Sequence, residues 1–419
     1  MIKNQQYCIA VLFLFINLGI AQDHKLSFSI QKNPMDKNYW WLDNNNFGIQ
    51  PNNINFEAHW RLKTLKTEYM ITIIGENASE KLYLNKSFIK YNFSENTFLR
   101  VGRYYKDFSI YLNDDISSGS MLISQNARAM TKVGIVTSKH IKKITFNAGM
   151  AHGIFDKSDV YTKAPLLHEK FIYMNIEKND VHHFSIGAVH EAMWGGATSE
   201  EQEWPLRKSS NLWKDFLKVF ISADGPYEGG PHANALGNHL GIWDFSYQKK
   251  YNNQILKLYY QHFFEDTSSL RFQNRTDGLW GLELTNYIPH STILFEYIDI
   301  SNAHNNPPYQ NDYYYANYQY VSGWTYKNNI IGNPFVNDDG STQGFQRNMK
   351  AIHIGAKGKI GFGRYQIKAS KKINMNDTIR YKIKIGKIVK DKFDFNVFIV
   401  NNEKTNGLGI GISYFAKNF

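Results

Sequence analysis

Glu265 and Asp266 are the first residues to test for chemistry, because paired carboxylates can supply the acid and the base of glycoside hydrolysis. Neighbours on a strand point to opposite faces, so this pair could not flank one bond without a bulge. His190-Glu191 opens like a zinc-peptidase motif, but position 194 is Trp where a helical zinc site needs its second His. No G-x-S-x-G nucleophile elbow occurs. The single cysteine, Cys8, lies in the N-terminal apolar segment and lacks the small preceding residue that lipoprotein processing requires. Once that segment is cleaved, thiolate metal sites, disulfides and cysteine nucleophiles drop out. Asp338-Asp339 reads as a solvated acidic loop rather than a calcium site. The chain is therefore expected to be no enzyme and to carry no cofactor or metal.

Sugar binding asks for aromatic faces beside carboxylate, amide and guanidinium groups. Trp194 and Trp324 in long loops, His239, Trp243 and Asp244 at a strand mouth, and Glu265, Asp266 and Arg271 in an outer loop form a candidate saccharide platform. For Trp243 and Trp280 the favoured reading is the aromatic girdle of a membrane interface. Trp194 is followed by Gly195-Gly196, and ligand contact and loop packing stay equally open for it. A second set is basic: Arg61, Lys90, Arg100, Lys132, Lys143, Arg364, Lys368, Arg380, Lys382 and Lys384 fall on the polar faces of strands. With a net charge of +11 they make an interior that would attract acidic polymers. A water-filled lumen also tolerates charge, and the two readings stand side by side. Nucleic acid is not an expected partner of an exported chain.

These residues need elements to hold them. The apolar positions alternate with polar ones at period two, the mark of a strand with two unlike faces. Ile379, Tyr381, Ile383 and Ile385 alternate with Arg380, Lys382 and Lys384. Phe56, Ala58, Trp60 and Leu62 alternate with Glu57, His59 and Arg61, and Leu408, Ile410, Ile412 and Tyr414 with Gly407, Gly409, Gly411 and Ser413. Mean hydropathy is negative while 15% of residues are aromatic, with 27 Tyr and 28 Phe. From residue 165 onward the links alternate: 178–180 short, 191–239 long, 251–253 short, 265–277 medium, 287–290 short, 301–348 long. Short turns on one side and long loops on the other are the habit of outer-membrane barrels, and extending the alternation to both ends predicts about 18 strands. The fold expected is all-β, a transmembrane antiparallel β-barrel. One segment breaks the pattern: Ser210–Ile221 sets Leu212, Trp213, Phe216, Leu217 and Phe220 at helical spacing inside the longest loop. It predicts a surface or plug helix packed on the barrel.

The two ends agree with export. Lys3, the apolar run from Ile9 to Ile16, and Gly19 and Ala21 resemble a signal peptide over residues 1–21, cleaved after Ala21. The run falls short of the roughly 20 apolar residues of a spanning helix. Residues 22–419 then form one barrel domain, and its last strand, ending in Phe419, resembles the signal that barrel-assembly machinery recognises. The expected location is the outer membrane of a Gram-negative bacterium.

Five segments carry a family resemblance: His190-Glu-Ala-Met-Trp-Gly-Gly196, Gly237-Asn-His-Leu-Gly-Ile-Trp-Asp-Phe245, Tyr259-Tyr-Gln-His-Phe-Phe-Glu-Asp266, Asp277-Gly-Leu-Trp-Gly-Leu-Glu283, and Gly323-Trp-Thr-Tyr326 with Gly332-Asn-Pro334. In this order, over roughly residues 50 to 419, the set resembles the Wzi-like capsule-assembly family. The resemblance implies an 18-stranded outer-membrane lectin that helps attach capsular polysaccharide to the cell surface, with a helical bundle plugging the periplasmic side. Only residues 198–222 read clearly as helix here. The partners it implies are acidic capsular or exopolysaccharide and, around the barrel, outer-membrane lipid and lipopolysaccharide. A porin or channel for small solutes is the alternative.

Overall fold

Alternation at period two lets each strand offer one face to lipid and one to an interior, and hydrogen bonding between neighbours can then close the sheet on itself. A computed structural model shows this closed ring of 18 antiparallel strands. It describes residues 23–33, 53–76, 81–157, 160–202, 205–206, 209, 211–226, 234–265, 270–302, 314–336, 348–374, 377–401 and 406–417. The segment read as a signal peptide, Asp266, Asp338-Asp339 and Phe419 lie outside the described residues.

The strands are β1 (Asp23–Asn33), β2 (Asn53–Lys63), β3 (Thr67–Glu76), β4 (Lys81–Leu84 and Ser87–Asn92, interrupted at Asn85-Lys86), β5 (Thr97–Tyr104), β6 (Met130–Ile141), β7 (Ile144–Ile154), β8 (Leu166–Lys178) and β9 (His182–Trp194). They continue as β10 (Asn238–Tyr251), β11 (Gln254–Phe264), β12 (Gly278–Thr285), β13 (Ser291–Asp299), β14 (Lys350–Ile360), β15 (Gly363–Lys372), β16 (Arg380–Val389), β17 (Phe393–Asn401) and β18 (Asn406–Lys417). Each pairs with the next, and β1 pairs with β18, Lys25 opposite Lys417, to close the ring. The tight connections lie at one end. Their left-handed positions are taken by Lys142, Asn179, Asp180, Asn252, Lys390 and Asp391, and Asn and Asp tolerate that conformation better than most residues.

The outward face is apolar and exposed, with Ile135, Ile172, Phe184, Leu258, Phe295 and Ile410 among its residues, the surface a spanning barrel presents to hydrocarbon. Inward, glycines lie opposite aromatic rings: Gly149 faces Phe171, Gly187 faces Tyr173, Gly281 faces Tyr259 and Gly409 faces Phe398. A Cβ at any of these glycines would collide with the ring, so each ring lies flat on the wall.

The long-loop half of the lumen is filled from within. Residues 105–129, which join β5 to β6, turn into the barrel as a plug, and residues 314–336 of the β13–β14 connection fold over it. Phe108, Ile116, Met121 and Leu122 of the plug share a dry core with Tyr315, Trp324 and Phe335 of the cover and with Leu240, Ile242 and Phe263 of the wall. The seam between the two loops is hydrogen-bonded: Trp324 Nε1 donates to Leu122 O at 2.8 Å, Ser124 N to Ile331 O at 2.9 Å and Asn333 Nδ2 to Gly119 O at 2.7 Å. The predicted helix is α1 (Leu212–Phe220), capped by Asn211, whose side chain accepts from Lys214 N. It lies against the outside of the wall, so the interior is plugged by irregular, turn-rich chain and not by this helix.

Candidate functional site

The inward residues of β14, β15 and β16 are spaced two apart, so Lys357 and Lys359, Arg364 and Gln366, and Lys384 all reach the same side of the sheet. With His290 from a tight turn they line a cavity of about 600 Å³ toward the short-turn end of the lumen. Two carboxylates enter it: Asp115 of the plug, 2.6 Å from Lys357 Nζ, and Asp394 of β17, 2.5 Å from Arg364 Nη2. A second cavity of about 450 Å³ opens beside the plug's first turn, lined by Lys90, Arg100, His183 and Lys257 with Asp107 and Tyr111. There Arg100 Nη1 lies 2.7 Å from Asp107 and Lys257 Nζ 2.8 Å from Glu283, while Lys90 Nζ sits 3.8 Å over the Phe98 ring. Cations in a concave site that is walled by protein focus a positive potential on whatever enters. Carboxylate, sulfate or phosphate substituents are what such a site attracts, and Phe98, Phe108 and Phe171 add apolar faces in the second cavity.

The plug that divides the cavities is held by a carboxylate-centred network. Ser109 Oγ, Tyr111 OH and Tyr173 OH all donate to Asp244. Ser117 Oγ and Ser118 N each donate to Glu296 at 2.7 Å, and Met121 N donates to Gln261 at 3.0 Å. On the other flank the wall donates: Lys357 Nζ to Asn113 at 2.8 Å, Gln366 Nε2 to Asp115 O at 2.7 Å and a His353 ring nitrogen to Ile116 O at 2.7 Å. Burial, with the Asp244 carboxylate beside it, pushes the Tyr111 phenol well above its ordinary range, so it stays a proton donor.

Of the basic residues expected on the interior, Arg364 and Lys384 line the first cavity, and Lys90 and Arg100 the second. Arg61 faces inward on β2, 2.8 Å from Glu68. Lys382 lies 4.9 Å over the Phe398 ring, Arg380 pairs with Asp377 at 3.1 Å, and Lys368 is buried on the wall. Two residues are placed differently from expectation. Lys132 is buried in an ion pair with Glu169 at 2.7 Å, away from any open lumen, because the plug covers it. Lys143 sits exposed in the turn after β6, beyond the end of the wall.

The platform residues that are described do not come together, and Asp266 lies outside the described residues. Trp194 ends β9 and points outward, buried beneath α1. His239 also points outward, its Nδ1 2.8 Å from His190 Nε2. Asp244 points inward to the plug, Glu265 accepts from Tyr315 N at 2.7 Å, and Trp324 is fully buried in the core. Arg271 is exposed in the β11–β12 loop. Trp243 and Trp280 lie on the outward face, donating to Leu270 O and Thr276 O, and Trp280 stacks on Tyr260 at 3.8 Å. Sequence reading missed the plug, whose signal was a gap of 25 residues between β5 and β6 with no period-two pattern. It also missed an outward row of His152, His168, His190 and His239 on four consecutive strands. Among the described residues no group of three or more His, Cys, Asp or Glu side chains is placed to hold a metal ion.

Residues 29–347 match the family model of capsule assembly protein Wzi. No curated protein matches the chain. Among solved structures, Wzi of Escherichia coli, an outer-membrane carbohydrate-binding β-barrel involved in group 1 capsule assembly, aligns with a TM-score of 0.58 at 13% identity, covering 97% of this chain and 87% of that one. OccK5 of Pseudomonas aeruginosa aligns at a TM-score of 0.46 and 8% identity, covering 96% and 99%, and a mutant Rh. blastica porin at 0.39 and 9%, covering 94% and 99%.

Proposed function

We propose that this chain, which belongs to the Wzi family of capsule assembly proteins, is a non-catalytic outer-membrane barrel that binds acidic capsular or exopolysaccharide and helps hold it on the cell. The observation that carries this reading is the basic lining of the two cavities, Lys357, Lys359, Arg364 and Lys384 in one and Lys90, Arg100 and Lys257 in the other. Both termini of such a barrel lie on the periplasmic side, with the short turns. The cavities then meet the polymer from that side, and the barrel retains its cell-proximal part. Export and cleavage near Ala21, and recognition of the last strand by assembly machinery, belong to the same proposal.

The test is direct binding of a uronic-acid oligosaccharide to the refolded barrel at two salt concentrations, with a neutral oligosaccharide as control. Capture by the cations weakens as salt rises, because exposed charges are screened beyond about 10 Å at 0.1 M. No binding, or binding of the neutral sugar at equal strength, sinks the reading. A small-solute channel needs a continuous water path, and the dry core of the plug and its cover counts against one. Steady conductance of the native chain in a planar bilayer would restore that alternative.

A further inference from the structure

Helix α1 has more apolar surface than its seat on the barrel covers. Its inner side packs on outward residues of β7 to β9: Phe216 meets the His152 ring edge-on at 5.2 Å and the His168 ring at 5.7 Å, and Phe220 lies 5.5 Å from His168. Lys170 Nζ lies 4.4 Å over the Phe220 ring and donates to Phe220 O, and Ser222 Oγ is 3.2 Å from His190 Nε2. At 100° per residue, Trp213, Leu217 and Ile221 form a second stripe beside that seat, and Lys214 and Lys218 take the face beyond it. This stripe is open: Trp213 is 68%, Leu217 46% and Ile221 71% exposed.

The place of the helix explains the surplus. His152, His168, His190 and Lys170 interrupt the apolar outward face of the wall, and two residues further along β8 that face resumes with Ile172, 55% exposed. A polar gap of this kind facing hydrocarbon is costly. The helix roofs the gap, and its free stripe stands on the same outward, lipid-facing side of the wall as the belt. The connection that bears α1 joins β9 to β10 at the long-loop end, the outer side of the membrane.

We propose that α1 is an interfacial helix whose Trp213, Leu217 and Ile221 stripe lies in the hydrocarbon edge of the outer leaflet, with lipid acyl chains as its partner and Lys214 at the water side. The seat of the helix on the outward, lipid-facing side of the wall commits the surface to lipid and not to a protein.

Spin labels test this on the full chain in a Cys8→Ser background, reconstituted in lipid. Labels are placed one at a time at Trp213→Cys, Leu217→Cys and Lys214→Cys. Ile172→Cys on the belt and Lys142→Cys in a tight turn serve as lipid and water references. The labels at 213 and 217 are expected to collide with oxygen as the belt reference does and to lose collisions with a water-soluble nickel complex, while 214 follows the turn reference. Nickel collisions at 213 and 217 equal to those of the turn reference overturn the proposal. Dipolar broadening at 217 that vanishes on dilution with unlabelled protein also overturns it, in favour of a second copy of the chain. Chain-brominated lipid read on the unlabelled protein guards against perturbation by the label: it should quench a smaller share of emission after Trp213→Phe, and an unchanged share counts against the proposal.

Discussion

The wall from β8 to β13 and the wall from β14 to β16 face the same lumen with different charge: the first gathers buried carboxylates, with the cation Lys257 among them, and the charged inward residues of the second are all basic. On the first, Glu169, Glu191, Asp244, Glu283 and Glu296 point inward and all are buried. On the second the inward titratable residues include His353, Lys357, Lys359, Arg364, Lys368, Lys372, Arg380, Lys382 and Lys384. The plug between them is matched to both. Its hydroxyls and N–H groups go to Asp244 and Glu296, Tyr111 O receives from Lys257 of the first wall, and the other carbonyls named and Asp115 receive from His353, Gln366 and Lys357. The acid wall therefore fixes the plug. The basic wall grips its other edge, and the side chains nearer the short turns line a cavity. The buried carboxylates are spent on structure, while the cations both hold the plug and line the cavities.

Removing what the acid wall holds should break this division most completely. Deleting residues 109–126 is expected to turn a silent barrel into one with the steady conductance of a water-filled pore, read in planar bilayers. Next in size, Lys132→Met leaves Glu169 buried without its cation and should cost about 3–5 kcal/mol in urea unfolding, whereas Lys132→Met with Glu169→Met should recover most of that loss. On the basic wall, Lys384→Glu should lower affinity for an acidic oligosaccharide roughly tenfold, about 1.4 kcal/mol, with stability little changed. If it unfolds the barrel instead, Lys384 is structural and not a ligand contact.

The smallest effect lies in a loop. Asp277, just before β12, accepts from Asn302 N, Asn302 Nδ2 and Tyr314 OH, yet burial raises its carboxyl to about 6. A carboxyl whose folded value lies above its unfolded one binds its proton more tightly in the folded chain. The loop should thus be most stable below about pH 4 and lose stability as pH rises toward about 6, then level off. Amide exchange at Asn302 measures it, and Asp277→Asn should flatten the profile.

The barrel was legible because period-two alternation is a local property, fixed by each residue's own face. Ile379 to Ile385 and Leu408 to Tyr414 needed no knowledge of the rest of the chain. The helix was legible for the same reason. The side chains of the platform were not. Trp194 and Trp324 looked like loop aromatics, but the direction in which a loop folds, out over the rim or down into the lumen, depends on what it meets there. Trp324 meets Leu122 O, some 200 positions away in the chain, and Trp194 is covered by Phe216. Asp244 is an anchor because Ser109, Tyr111 and Tyr173 converge on it, and no spacing in the sequence announces that meeting.

The seam between β1 and β18 has a consequence for the order of events in assembly. Its pairing joins positions as distant as Lys25 and Lys417, and closing so long a stretch of chain carries the largest entropic cost of any strand pair in the ring. Inside the seam β18 offers Gly407, Gly409 and Gly411, while the plug anchors named above lie on β8 to β15. Closing the ring and filling it thus draw on different strands. A chain still open at the seam could already have its plug seated, and the last step would then be a zipping of backbone that asks nothing of the interior.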